Sequence, residues 1–183
     1  MQEIEVKILE IDVPQIKDKL IALGAEKVFS GAVRALSFDK DNFLQEKRSF
    51  LRLRTLGEGV IELCFKGPKE DSEFKIREEV QITTNDFPQT LLLLEKLGFS
   101  KTDEKTKQRE SYKLRDVRFE IDTFPNIPAL LEIEAPSKEQ VKEYVEKLGF
   151  TMEQATNMSG NDVITHYEKM NNKLSNQIKH EST

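Results

Sequence analysis

The chain has 183 residues, with 28 Lys or Arg against 33 Asp or Glu, so its formal net charge is −5. This length favours one compact domain, and the acidic balance argues against a general nucleic-acid surface while leaving room for a local basic pocket. The single cysteine, Cys64, excludes an intramolecular disulfide and indicates a reducing compartment. Charges at positions 3, 5 and 7 argue against a signal peptide, and no apolar run reaches membrane-spanning length. We therefore expect a cytoplasmic protein with no membrane partner.

The first predicted strand, residues 2–8, alternates charged and apolar side chains. Glu3, Glu5 and Lys7 share one face, and Ile4 and Val6 share the other, because successive strand side chains point to opposite faces. Two carboxylates and an ammonium group at this spacing can hold a cation and an anion side by side. A half-buried strand with one charged face in water would show the same pattern.

A predicted helix over residues 14–23 follows, with Gly24 at the position where a helix end favours a left-handed residue. Four predicted strands come next, at residues 29–39, 49–56, 60–66 and 73–82. The last three again alternate between an apolar face and a mostly charged face. The mostly charged faces carry Arg52, Arg54, Glu62, Cys64, Lys66, Lys75, Arg77, Glu79 and Gln81.

A second helix is predicted over residues 86–97, and three strands follow it at 103–114, 116–123 and 129–135. The last two strands carry, on one face, Arg118, Glu120, Asp122, Glu132 and Glu134. A third helix is predicted over 137–148 and a last helix over 161–172, before a polar tail at 173–183. The amphipathic helices are candidates to cover the apolar faces of the strands.

Eight strands with one charged and one apolar face are compatible with two architectures. In an open sheet or sandwich, the apolar faces are buried together and the charges point to water. In a closed barrel the charges point inward, the sheet has no edges, and eight strands leave room for one small ligand. We favour the barrel, because Arg and Lys on facing strands repel unless carboxylates and an anionic ligand lie among them. The predicted fold class is α+β, a closed eight-stranded antiparallel β-barrel with a charged interior and helices packed outside.

The predicted interior contains acids and bases in near balance. The acids are Glu3, Glu5, Glu79, Asp122, Glu132 and Glu134. The bases are Lys7, Arg52, Arg54, Lys66, Arg77, Lys107 and Arg109. A triphosphate together with divalent cations would leave such a site close to neutral, as a partly desolvated pocket requires. The carboxylates suit Mg²⁺ or Mn²⁺, and the Arg side chains suit phosphate oxygens.

The sequence shows no pair of a nucleophile and a base. We expect Cys64 to be a small wall residue, and His166 and His180 to be surface or helix residues. The chemistry that fits is in-line phosphoryl transfer, in which metal ions activate water and cations stabilise the transferring charge. The candidate catalytic cations are Lys7, Arg54 and Lys66.

Glu3-Ile4-Glu5-Val6-Lys7 resembles the N-terminal Glu-x-Glu-x-Lys signature of the CYTH superfamily, the triphosphate tunnel metalloenzymes. The resemblance covers about residues 1–170 and continues in order through Leu51-Arg52-Leu53-Arg54, Phe65-Lys66-Gly67-Pro68, Arg77-Glu78-Glu79, Lys107-Gln108-Arg109, Asp122 and Leu131-Glu132-Ile133-Glu134. The family includes class IV adenylyl cyclases, thiamine triphosphatases and inorganic tripolyphosphatases. These proteins act on triphosphates with Mg²⁺ or Mn²⁺ inside a closed eight-stranded tunnel.

The resemblance implies a tunnel domain over residues 1–172, in which the seven bases bind phosphates and the six acids hold metal ions directly or through water. The leading hypothesis is a metal-dependent phosphohydrolase of tripolyphosphate, thiamine triphosphate or a nucleoside triphosphate. The main alternative is a class IV adenylyl cyclase that forms cyclic AMP and pyrophosphate from ATP. A third hypothesis is a non-catalytic polyphosphate- or nucleotide-binding module. The expected partner is a small molecule with a triphosphate, with no nucleic acid, and a homodimer is compatible with the sequence.

Overall fold

The computed structural model describes the backbone of residues 2–57 and 59–181 and the side chains of residues 4–57 and 59–172. The strands in this part of the chain are β1 (Gln2–Ile8), β2 (Glu26–Asp39), β3 (Phe50–Leu56), β4 (Val60–Lys66), β5 (Lys75–Thr84), β6 (Ser100–Leu114), β7 (Val117–Thr123), β8 (Leu130–Ala135) and β9 (Ala155–Thr156). The helices are α1 (Val13–Ala22), α2 (Phe43–Glu46), α3 (Phe87–Lys96), α4 (Lys138–Lys147) and α5 (Gly160–Glu181), with a 3₁₀ turn at Met152–Gln154.

Strands β1 to β8 close into an antiparallel barrel. Their order around the barrel is β1-β5-β4-β3-β2-β6-β7-β8, and β8 pairs with β1 again. Strand β1 brings about the closure, because Glu5 lies opposite both Lys75 on β5 and Glu134 on β8. The predicted α+β fold, with a closed eight-stranded barrel and helices outside, is therefore confirmed.

The hydrophobic core lies outside the barrel, between the sheet and the helices. The largest cluster joins β1, β7 and β8 to α1 and α4, and its fully buried members include Val6, Phe119, Ile133, Ile16 and Val145. Smaller clusters hold α3 through Leu94 and α5 through Val163. Fully burying such a side chain stabilises the fold by roughly 1.5–3 kcal/mol. Because a strand alternates between faces, this outer packing turns the charged faces to the inside.

The ends of α1, α3 and α4 follow the signals in the sequence. Their N-terminal turns are capped by side chains that accept a backbone N–H three residues later at 2.9–3.2 Å, those of Asp12, Asp86 and Ser137. The glycines after the helices have φ between 83° and 87°, at Gly24, Gly98 and Gly149. Because these signals are local, the predicted bounds of the three helices agree with the observed bounds to within one residue at each end.

Some elements differ from the sequence prediction. Helix α5 continues to Glu181, whereas we expected it to end at residue 172. Strands β2 and β6 are longer than expected, because they pair with each other from Glu26 opposite Lys113 to Asp39 opposite Ser100. The short helix α2 and strand β9 were not predicted. None of the described helices combines the length and the apolar character that a membrane crossing requires.

Candidate active site

The barrel encloses a cavity of about 1460 Å³ that is lined by side chains from all eight strands. The described lining residues include twelve Lys or Arg and nine Asp or Glu, an excess of three positive charges. The whole chain, in contrast, carries a net charge of −5. Positive charge is therefore concentrated inside the tunnel, which favours an anionic ligand.

The two signs of charge lie on different sides of the cavity. Strands β7, β8 and β1 form an acidic wall, whose charged lining residues are Glu5, Lys7, Arg118, Glu120, Asp122, Glu132 and Glu134. Strands β3, β4, β5 and β6 form a basic wall, whose charged lining residues are Arg52, Arg54, Lys66, Lys75, Arg77, Glu79, Asp103, Lys105, Lys107, Arg109 and Lys113. One side of the tunnel thus suits cations and the other suits anions.

Three carboxylates of the acidic wall form a candidate metal site. Oxygen atoms of Glu5, Glu132 and Glu134 lie within 4.8 Å of one another. Their strand positions bring them together, because Glu5 on β1 lies opposite Glu134 on β8, and Glu132 is two residues away on the same face. Oε2 of Glu5 is buried and has no hydrogen-bond partner among the described residues. Such a set of carboxylate oxygens can coordinate a hard divalent cation.

Two lysines contact this carboxylate cluster. Nζ of Lys7 pairs with Glu5 and lies 2.8 Å from Glu132, and Nζ of Lys75 lies 2.5 Å from Glu5. Burial acts to lower the pKa of Lys7, but the charges of Glu132 and Glu5 raise it above its ordinary value. Burial likewise acts to raise the pKa of Glu132, yet the positive charges of Lys7 and Arg109 hold it well below its usual range. Both groups are therefore charged at neutral pH.

Asp122 holds two cations of the basic wall in place. Arg109 donates from Nε and Nη2 to its two carboxylate oxygens at 2.6 and 2.7 Å, and Nζ of Lys107 lies 2.5 Å away. Arg109 also pairs with Glu120, whose pKa burial raises above its ordinary value. Burial and the charge of Arg109 lower the pKa of Lys107 to about 8. A bidentate pair of this kind orients the guanidinium as well as neutralising it.

Arg52 on the basic wall has unused hydrogen-bonding capacity. Its Nε is buried without a hydrogen-bond partner, and no ion pair joins its guanidinium to the described side chains. Burial, followed by the charges of Arg54 and Arg109, lowers its pKa. Its neighbours differ, because Arg54 pairs with Glu62 and Lys66 lies 2.8 Å from Glu79. A half-buried guanidinium with an unused donor points to an anionic ligand as its hydrogen-bond partner.

Twelve of the thirteen predicted interior residues have described side chains, and all twelve line the cavity. The side chain of Glu3 lies outside the described residues. Of the predicted metal ligands, Glu79 and Asp122 lie apart from the three-carboxylate cluster and contact cations instead. Their roles, like those of the other site residues, stay predictions.

Lys75, Arg118 and Glu120 also line the cavity; alternation put them on charged strand faces, but they were not among the thirteen predicted interior residues. Lys105 and Lys113 line it as well, and sequence reasoning missed both. Each lies two residues, or a multiple of two, from a predicted interior residue on the same strand, so the same alternation rule would have found it. Arg48 also lines the cavity, but it precedes β3 and no periodic pattern marks it.

The residues that can act as nucleophiles do not form a catalytic pair in the described part of the chain. Cys64 is fully buried, burial raises the pKa of its thiol to about 11, and its Sγ lies 3.2 Å from Oε1 of Glu79. His166 lies on α5 and packs edge-on against Tyr167 with ring centroids 5.2 Å apart. The side chain of His180 is outside the described residues. The thiol is therefore protonated at neutral pH, and Cys64 is not among the described residues that line the cavity.

Known proteins share this fold and sequence pattern. The family model of the CYTH domain matches residues 1–167. A Methanocaldococcus jannaschii protein named as a candidate adenylate cyclase is 31% identical over 137 residues, which are 73% of this chain and 77% of that protein. A solved structure from Vibrio parahaemolyticus, also described as a candidate adenylate cyclase, has a TM-score of 0.80 at 13% identity, covering 89% of this chain and 97% of that one.

A second solved structure comes from Hippeastrum and is described as a candidate adenylyl cyclase with a dominant triphosphatase activity. It has a TM-score of 0.62 at 18% identity, and the match covers 87% of this chain and 90% of that one. At these identities the two structures establish the shared fold. The family model spans all eight barrel strands, and the archaeal relative covers most of the chain. The chain therefore belongs to the CYTH domain family, as its sequence motifs indicated.

Proposed function

We propose that this protein is a divalent-metal-dependent hydrolase of triphosphates. The observation that carries the proposal is that a carboxylate cluster on one wall of the tunnel faces a basic wall on the other. A metal-bound triphosphate matches this division, because metal ions join phosphate oxygens to carboxylates while Lys and Arg contact the remaining phosphate oxygens. Tripolyphosphate, thiamine triphosphate and nucleoside triphosphates all present this group.

Glu5, Glu132 and Glu134 would hold the metal ion, which we propose to be Mg²⁺ or Mn²⁺. The fit rests on their clustering and on the buried Oε2 of Glu5, an acceptor without a partner among the described residues. Glu3, Glu79 and Asp122 are further proposed ligands, directly or through water. When bound, the ion would neutralise phosphate oxygens and lower the pKa of a bound water.

The cations of the tunnel would bind the phosphate chain and stabilise the charge that develops during transfer. We assign phosphate binding to Lys7, Arg52, Arg54, Lys66, Arg77, Lys107 and Arg109, of which Lys7, Arg54 and Lys66 are the proposed catalytic cations. Carboxylates hold these three in place, since Lys7 pairs with Glu5, Arg54 with Glu62 and Lys66 with Glu79. Cations fixed before the reaction need little reorganisation when charge develops on the phosphoryl group.

A class IV adenylyl cyclase is the second candidate, because the Methanocaldococcus jannaschii relative is named as a candidate adenylate cyclase. Cyclisation additionally requires a site for the adenosine moiety. Three aromatic residues line the tunnel, but Phe38 is buried, Arg77 lies 5.4 Å from the ring centroid of Phe50, and Lys107 lies 5.4 Å from that of Phe124. Rings that already carry a cation are less open to a stacked base, which favours the hydrolase.

A product assay separates the candidates. The purified protein would be incubated with tripolyphosphate, thiamine triphosphate or ATP, each with Mg²⁺ and with Mn²⁺. We expect release of orthophosphate from at least one substrate. Cyclic AMP together with pyrophosphate from ATP would contradict the proposal in favour of the cyclase. Binding of a triphosphate without any product would identify a non-catalytic binding module.

A further inference from the structure

Four helices of this chain end in the same backbone arrangement. After α1, α3 and α4, a glycine N–H donates to the carbonyl three residues earlier, and the next N–H donates to the carbonyl five residues earlier, at 2.8–3.0 Å. Helix α2 repeats this pattern, with Arg48 donating to Gln45 at 2.9 Å and Ser49 donating to Leu44 at 2.8 Å. Arg48 therefore occupies the position that glycine occupies in the other three.

The position requires a left-handed backbone. Arg48 has φ 53°, in the region where the Cβ of an L-residue approaches the following carbonyl and where glycine is the usual occupant. The chain meets this requirement with glycine at the three caps that are not among the described residues lining the cavity. An arginine at the fourth site destabilises the fold relative to glycine, so a role for its side chain would explain its presence.

The side chain of Arg48 lines the tunnel. It stands where the connection between β2 and β3, residues 40–49, borders the cavity, a region that we call the α2 mouth. Its guanidinium is exposed, and no hydrogen bond or ion pair joins it to the described residues. Immediately after this connection, β3 carries Arg52 and Arg54 into the cavity. Arg48 thus extends a row of cations from the basic wall to the opening.

We propose that Arg48 is a substrate-binding residue, which donates to a phosphate oxygen at the α2 mouth of the tunnel. The proposal deepens the proposed function and rests on it for the identity of the substrate. Since Arg48 lies at the opening and Arg52 lies within, the residue favours an oxyanion chain long enough to reach both. The affinity for tripolyphosphate should therefore depend on Arg48 more than the affinity for pyrophosphate does.

The test compares Arg48→Gly with Arg115→Gly. Arg115 has φ 55° in the β6–β7 turn but is not among the described residues that line the cavity, so it matches Arg48 in backbone strain and not in position. Both changes should raise the melting temperature. Only Arg48→Gly should raise the dissociation constant of tripolyphosphate, by about tenfold, and that of pyrophosphate by less. Arg48→Lys keeps a cation and should recover part of the affinity.

Dissociation constants are measured by calorimetry in EDTA, where no metal-dependent turnover occurs, and KM is measured with Mg²⁺. If Arg48→Gly binds tripolyphosphate as tightly as the wild type, the proposal is wrong whatever the protein hydrolyses. An equal loss of affinity in Arg115→Gly would also overturn it, because the effect would then follow from the backbone. A wild type that binds tripolyphosphate without cleaving it would overturn the hydrolase, while the comparison of dissociation constants would still decide the role of Arg48.

Discussion

Arg52 combines a position on the basic wall of the tunnel with a buried Nε that has no hydrogen-bond partner in the described part of the chain. Burial, followed by the charges of Arg54 and Arg109, disfavours its charged form and lowers its pKa, although the charge of Glu79 acts in the other direction. An anion in the tunnel would favour the charged form. The residue therefore links ligand binding to the electrostatic balance of the barrel.

Replacing Arg52 with Ala should weaken tripolyphosphate binding by about tenfold to a hundredfold, because a charge-assisted hydrogen bond is lost from a partly desolvated site. The melting temperature should stay equal or rise, because an unpaired charge is removed. Calorimetric titration and thermal unfolding measure the two effects. Arg34→Ala is the matched control, because Arg34 is exposed on the outer face of β2 and lies 2.8 Å from Glu104. Unchanged affinity in Arg52→Ala would contradict the assignment.

Glu134→Gln tests the candidate metal site while preserving the shape of the side chain. Removing one carboxylate charge from the cluster of Glu5, Glu132 and Glu134 should lower metal affinity by about tenfold or more and abolish metal-dependent turnover. Titration with Mn²⁺ and the phosphate-release assay provide the measurements. Glu143→Gln is the control, because Glu143 lies on the exposed surface of α4 beside Lys147. Full turnover with normal metal dependence in Glu134→Gln would remove this residue from the site.

At the scale of elements, the connection between β2 and β3 is organised by one carboxylate. Asp39 accepts backbone N–H groups from Lys40, Leu44 and Gln45 at 2.6–2.9 Å. Burial acts to raise the pKa of Asp39, but the three donors outweigh it and lower the pKa below its ordinary value. The carboxylate thus fixes α2, and with it the α2 mouth.

Asp39→Asn should lower the melting temperature by a few degrees at neutral pH, because an amide has one acceptor oxygen where the carboxylate has two. The sign of the pH dependence follows from the lowered pKa. The stabilising effect of the carboxylate is present above its unfolded-state pKa of about 4 and is lost as the pH falls through the lower folded-state value. The difference in melting temperature between wild type and variant should therefore shrink below pH 4. A difference that stays constant with pH would argue against this role.

The elements were predictable to different degrees. Alternation at positions 51–54 fixes which side chains of β3 share a face, because that rule is local. The pairing of β2 with β6 and of β1 with β5 joins distant segments, so periodicity alone does not reveal it. The end of α5 was placed too early, because the polar residues after 172 contain no glycine or proline that would stop a helix. The charged strand residues of the site followed from alternation, whereas Arg48 and Asp116 lie in turns, which no periodic pattern marks.

At the scale of the whole molecule, ligand binding should stabilise the barrel. Under the proposed function, tripolyphosphate with Mg²⁺ would bind the native state and relieve repulsion among the excess cations of the tunnel. At about one hundred times the dissociation constant, the gain is about 2.7 kcal/mol, which corresponds to a rise in melting temperature of roughly 5–10 °C. Differential scanning calorimetry would measure it, with sulfate at the same ionic strength as the control. An equal shift in sulfate would indicate a general salt effect.

The core of this protein lies outside its barrel, between the sheet and the helices, and this separates stability from specificity. Leu53 is fully buried on the outer face of β3, whereas Arg52 and Arg54 reach into the tunnel from the same strand. A change in an inward side chain therefore leaves the hydrophobic packing intact. The tunnel can accumulate substitutions that alter its ligand without first weakening the scaffold, so descendants of one barrel can diverge in substrate while remaining folded.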